Sequence, residues 1–165
     1  MKEIKIEELS MNPFTLIGKK WCLIGAKHNN KFNAMTASWG GVGVLWNKNV
    51  VTVYIRPQRY TNEFVSAADT FTLSFFEEEH RKTLTFYGTK SGRDVNKEEA
   101  CNFHVEEDAN YAYLQEASMV FECKKLYCGK IEEEGFVDVE VDAKNYPTKD
   151  YHYVYIGEIE KVLVK

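Results

Sequence analysis

The sequence predicts an α+β protein, mainly β: a barrel or sandwich of six or more strands with a few short helices. Runs of strand length and strand composition recur along the chain, among them WCLIGA, VVTVYI, TFTLSFF, SMVFECKKLY and YHYVYIGEIEKVLV, each bounded by turn residues. The segments with helical spacing are short and lie between them. No strand is followed by a glycine fingerprint that opens a helix, which argues against a Rossmann dinucleotide fold. The 165 residues suffice for one domain, residues 1–165, burying ~70% of the surface its unfolded chain exposes.

Taken in order, residues 2–10 alternate charged and aliphatic side chains and predict a short edge strand. Asn12-Pro13 predicts a helical turn to about Ile17, with Asn12 as cap, Pro13 in the first helical position and Gly18 as its end. Trp21 to Ala26 reads as a buried strand, His28 to Lys31 as a turn, and Phe32 to Ser38 as the next strand. Gly40, Gly41 and Gly43 loosen the backbone, as a bulge or the close approach of something flat requires. Val50 to Ile55 carries the strongest β signal, and Pro57 breaks it. Thr61 is the expected cap of a helix over NEFVSAA, whose first amides favour an anion. A strand over residues 70–76, a surface helix over residues 77–87 and a polar loop, GTKSGRD, follow. Asn96 and Glu99 have the spacing of a capping box. Beyond them the chain reads as mostly β, with strands over residues 118–127 and 151–164, the latter bending at Gly157; residues 132–149 read as acidic and irregular.

A net charge of −4 and a pI near 5.6 disfavour a nucleic-acid partner, although a local basic patch still suits one small phosphate. The four cysteines form no CxxC pair and no zinc-finger spacing with histidine, so buried free thiols are expected. No metal site is predicted. The N-terminus lacks a signal-peptide pattern and no apolar run approaches the ~20 residues of a membrane span. The expectation is a soluble, cytoplasmic protein without a membrane partner.

The chemistry concentrates between Asn33 and Thr61. Met35, Thr36, Ala37 and Ser38 form a wall of mostly small or hydroxyl side chains closed by Trp39, and the strand that follows delivers Arg56, Pro57, Gln58, Arg59, Tyr60 and Thr61. A backbone that can come close, beside an aromatic and a cationic corner, is what a flat, polar-edged, phosphorylated cofactor requires. A guanidinium grips phosphate through two parallel hydrogen bonds, and Lys90 and Ser91 in the glycine-bounded loop add a cation and a hydroxyl. Solvated surface charges and a Thr/Ser-rich strand remain the plain alternatives. His152 stands on the last strand, where an imidazole can border a bound ring or be structural. Nucleophile motifs such as GxSxG are missing.

NAMTASW, VVTVYIRPQRYTNEF, FTLSFF, GTKSGRD and DYHYVYIGEIE, in that order, resemble the flavin reductase-like, FMN-binding split-barrel family, close to its flavoredoxin branch, over residues 10–164. The resemblance implies a split β-barrel homodimer holding one non-covalent FMN per subunit near the dimer interface. It implies that Met35 to Ser38 contact the isoalloxazine, with Trp39 stacking on or shielding it. Arg56, Pro57 and Gln58 would lie near the ribityl chain or ring, while Arg59, Tyr60, Thr61, Lys90 and Ser91 reach the phosphate. NADH or NADPH as donor, or a redox partner protein in its place, is implied with it. The related reductases have glycine in the segment that here reads Lys149-Asp150-Tyr151-His152, so a nicotinamide role for His152 rests on weaker footing. Hydride transfer to flavin N5 needs no protein acid or base, which agrees with the lack of a catalytic dyad.

Overall fold

The computed structural model describes residues 1–165. Ten strands form, all pairing antiparallel: β1 (Lys2–Ile4), β2 (Cys22–His28), β3 (Lys31–Ala37), β4 (Gly40–Leu45), β5 (Lys48–Ile55), β6 (Thr70–Phe75), β7 (Val105–Glu107), β8 (Ala112–Leu114), β9 (Met119–Lys130) and β10 (Tyr153–Val164). Five α-helices lie between them: α1 (Pro13–Thr15), α2 (Tyr60–Ala67), α3 (Arg81–Thr89), α4 (Lys97–Cys101) and α5 (Val139–Asn145). Eight strands make one sheet in the order β3-β2-β6-β9-β10-β5-β4, with β1 added along β10. β7 and β8 form a separate hairpin.

The sheet wraps because β10 changes neighbour along its length. Its first half pairs with β5 from Tyr153 to Glu158, and its last residues, Val162 to Val164, pair with β1. The register with β9 slips at Ile156/Gly157, where the expected bend falls. Glycine is required there: a Cβ on Gly157 would stand 2.6 Å from the Phe71 ring. Phe71, Phe75, Phe121 and Tyr155 fill the interior with the aliphatic residues of β2, β5 and α2. A second, smaller core on the outer side packs Leu84 and Tyr87 of α3 and Phe103 against Leu23, Ala34 and Val120. This clamps the C-terminal end of α3 against β3.

Several elements differ from expectation. The N-terminal turn is capped by Asn12, whose Oδ1 accepts from the Thr15 amide at 3.2 Å, but it runs on through Gly18 as a π-turn to Lys20. Gly40 to Leu45 is a paired strand, joined to β5 through Trp46 and Asn47 in left-handed geometry, as a tight hairpin needs. Residues 139–145 are helical, with Asp138 Oδ1 accepting from the Glu140 amide. Arg59, not Thr61, occupies the N-cap position of α2. All four cysteines are free as expected, but Cys128 is exposed and Cys101 half-buried. No helix is long and apolar enough to cross a membrane.

Candidate functional site

Two cavities meet at Arg59. The first, about 130 Å³, lies where β5 runs into α2 and faces the end of α3 and the loop beyond it. Gln58, Arg59, Tyr60 and Thr61 line one side, and Gly88 to Gly92 with Lys97 line the other. No carboxylate borders it. The helix-capping position at Arg59 supplies no side-chain cap to the first turn of α2, whose first two residues border this space. Arg59 Nη1 and Nη2 donate to the carbonyls of Gly88 (3.0 Å) and Tyr87 (3.3 Å), holding the guanidinium at the C-terminal end of α3. Burial lowers its pKa.

Lys97 is the residue that sequence reasoning missed. It sits at the first position of α4, only 3% exposed, and its Nζ donates to the Ala34 carbonyl at 2.6 Å and the Tyr87 carbonyl at 3.3 Å. Burial and then the charge of Arg59 pull its pKa down to about 8. A buried ammonium ordinarily finds a carboxylate; this one faces carbonyls and an acid-free cavity. The available signal was the Asn96 cap, whose Oδ1 accepts from the Glu99 amide and thereby orients the first helical residue.

The second cavity, about 230 Å³, is lined by Met35 to Trp39, Tyr54, Arg56, Arg59 and His152. The end of β3 forms its wall. Met35 and Ala37 are buried toward the barrel interior, whereas the Thr36 hydroxyl donates to the Leu84 carbonyl of α3. Thr36 is therefore tied to the helix, with its hydroxyl hydrogen already committed. Trp39 is 48% exposed and tilts over His152, ring centroids 5.2 Å apart. His152 is buried, and its Nδ1 is 2.8 Å from the Tyr146 hydroxyl. Burial, then the nearby Arg56 charge, lowers its pKa to about 4, so the imidazole is neutral at pH 7.

The structure brings most of the expected residues to these two spaces. Met35, Thr36, Ala37, Ser38 and Trp39 border the larger one; Gln58, Tyr60, Thr61, Lys90 and Ser91 border the smaller; Arg59 borders both. Thr61 is buried with its hydroxyl accepting from Asn33 Nδ2 at 2.7 Å. Pro57 borders neither cavity. Arg56 reaches the larger one but is committed elsewhere: it pairs with Asp150 at 2.6 Å and donates to the Asn145 carbonyl. Gln58 also donates to Asp150, at 2.7 Å.

Residues 15–165 match the family described as Flavin reductase like domain. No curated protein matches the sequence. Among solved structures, the fold is similar to flavoredoxin from Methanosarcina acetivorans, at 21% identity and a TM-score of 0.68, covering 100% of this chain and 76% of that one. It is similar to an FMN-binding protein from Thermus thermophilus at 19% identity and a TM-score of 0.69, covering 100% and 82%. Flavoredoxin of Desulfovibrio vulgaris (Miyazaki F) aligns at 22% identity and a TM-score of 0.68, over 88% of this chain and 69% of that one.

Proposed function

The chain belongs to the Flavin reductase like domain family, and from that membership we propose that it is an FMN-binding flavoprotein, an NAD(P)H-dependent flavin reductase. One observation carries the reading: a small cationic cavity free of carboxylates joins, at Arg59, a larger cavity with a small-residue wall and an aromatic edge. The donor set fits a flavin mononucleotide end to end. Arg59, Lys90 and Lys97, the hydroxyls of Thr61 and Ser91 and the first amides of α2 suit a phosphate dianion. Gly92 is packed tightly against the chain, since a Cβ there would strike Asn33 Oδ1. Thr36 to Trp39 suit the edge and face of a flat ring.

When bound, the flavin supplies two-electron redox chemistry. The chain's own residues bind and orient it. The ties of Thr36 to α3 and of Arg59 to Gly88 and Tyr87 hold both walls of the site against one helix. Trp39 limits solvent access on one side, and neutral His152 offers a hydrogen-bonding nitrogen without adding charge. With no proton to spare near pH 7, His152 is a contact residue and not an acid.

A second reading, a flavoredoxin-type electron carrier reduced by a protein partner, is favoured by the occupied arginines. Arg56 is matched by Asp150, and Arg59 is the cation assigned to the FMN phosphate, so neither is left at the ring cavity to take a dinucleotide's pyrophosphate. A homodimer in a reducing cytoplasm completes the proposal, supported by four free cysteines and by exposed Val44 and Trp46 on the β4–β5 hairpin. The visible spectrum of freshly purified protein tests flavin binding directly. Arg59→Ala should purify folded and colourless; a full complement of FMN in that variant would overturn the phosphate assignment. Anaerobic stopped-flow with NADH separates the two readings, since rapid bleaching identifies the reductase and bleaching only by a protein donor identifies the carrier.

A further inference from the structure

A third cavity, about 380 Å³, lies beside the ring cavity and shares Trp39 and Tyr54 with it. Ile131, Phe136, Val141 and Tyr146 complete its walls. We propose that it is a binding site for an uncharged planar molecule of one or two aromatic rings, seated against the outer edge of the flavin site. The inference rests on the flavin reading only for what lies behind Trp39.

Size and wall chemistry set the ligand class. The volume is that of a small-molecule pocket, and the lining is aromatic and aliphatic, which favours ring stacking and apolar contact. The polar groups are nearly all in use. Asn145 Nδ2 donates to the Val141 carbonyl, the Asn145 carbonyl accepts from Arg56, and the Tyr146 hydroxyl meets His152 Nδ1. The Asn145 side-chain oxygen and the Tyr54 hydroxyl remain, enough to orient one neutral hydroxyl or carbonyl.

Charge disfavours an anionic ligand. Arg56 stands over the Tyr146 ring, 5.1 Å from its centroid, but is paired with Asp150. Lys149 pairs with Glu133 and Asp142. The segment carrying the outer wall holds Glu132, Glu133, Glu134, Asp138, Glu140 and Asp142 against Lys144 alone. An anion entering here would lose its hydration and approach a rim on which six carboxylates face the single Lys144.

The test is isothermal titration of the purified, flavin-bearing protein with 2-naphthol and with 2-naphthalenesulfonate, which share a ring system and differ in charge. The native protein should bind 2-naphthol at least about tenfold more tightly than the sulfonate. Phe136→Ala should weaken 2-naphthol by about tenfold or more, as loss of an aromatic anchor does. Val141→Lys, at an exposed helical position, should narrow or reverse the preference. Absent naphthol binding, sulfonate binding as tight as naphthol in the native protein, or unchanged selectivity in both variants would overturn the proposal. Flavin content, read from the visible spectrum of each sample, keeps the two claims apart. Ring binding in a protein without flavin would break the flavin reading alone, and retained flavin without ring selectivity would break this one alone.

Discussion

Replacing Lys97 with methionine should change flavin affinity and its pH dependence together. In the flavin-free protein burial, and then the charge of Arg59, bring the Lys97 ammonium from the ordinary lysine range down to about 8. At ~1.4 kcal/mol per unit, its burial as a cation costs on the order of 3 kcal/mol. The sign follows from the lowered pKa. The folded protein binds fewer protons than the unfolded chain between pH 8 and 10.5, so the penalty is full below pH 8 and relieved as pH rises through that window. Binding of a phosphate dianion beside Nζ reverses the balance by restoring the proton. Above pH 8 binding therefore takes up a proton, and Kd should rise about fivefold from pH 8 to 9, steepening toward tenfold per pH unit beyond. Affinity and stability then run in opposite directions over one pH interval, which a general alkaline loosening of the fold would not produce. The assay is quenching of FMN fluorescence by flavin-free protein from pH 7 to 9.5, with urea midpoints at the same pH values. Lys97→Met should weaken binding by about ten- to a hundredfold at pH 7, the worth of a charge-assisted hydrogen bond, and flatten the slope above pH 8. A Kd independent of pH in the native protein, or the same slope in Lys97→Met, would refute the reasoning.

Three other outcomes follow from named contacts. Arg59→Ala should lose FMN and about 1–3 kcal/mol of stability, because the Gly88 carbonyl loses its guanidinium donor and the Tyr87 carbonyl keeps only Lys97; purified colour and a thermal melt check both. His152→Gln should remove part of the acid sensitivity. The lowered pKa of His152 gives a contribution present above pH 6.5 and lost as pH falls toward 4, worth on the order of 3 kcal/mol, so urea midpoints of native and variant protein should converge by pH 4.5. Gly157→Ala should cost about 1–3 kcal/mol through overpacking against Phe71, with the denaturant midpoint as readout and FMN affinity little changed.

Most of the barrel was legible because its strands carry β-branched and aromatic residues, and because Asn29 and Asn30 take the left-handed geometry that their turn requires. What escaped was decided by partners distant in the chain. Gly40 to Leu45 has little intrinsic β preference, and its strand exists through the ladder with β5, from Gly40 opposite Val53 to Leu45 opposite Lys48. The helix at 139–145 buries none of its residues; its Asp138 cap and the Lys149–Asp142 pair hold it. In the site, residue types announced Arg59, Lys90 and Ser91, but for Lys97 the Asn96 cap marked only a helix start and not the burial of its first residue. Its burial arises because α3 and β3 converge there, bringing the Tyr87 and Ala34 carbonyls to the same ammonium.

Charge gives the site a direction. Around the ring cavity the one arginine that has a carboxylate nearby is neutralised by it: Asp150 pairs with Arg56, and Gln58 and Arg56 hold its carboxyl down to about 2. Around the small cavity Arg59 and Lys97 repel one another, and the pKa of each lies below its ordinary value. An anion is therefore stabilised at one end of the connected space and not at the other. A molecule with a phosphate tail and an uncharged ring, as proposed above, would take its tail to Arg59 and Lys97 and its ring to Thr36–Trp39. A ligand bearing anions at both ends would leave one of them beside Asp150 and the acidic residues of 132–142. In the proposed flavin site, selectivity for a single terminal phosphate would thus come from where carboxylates are absent as much as from where cations stand.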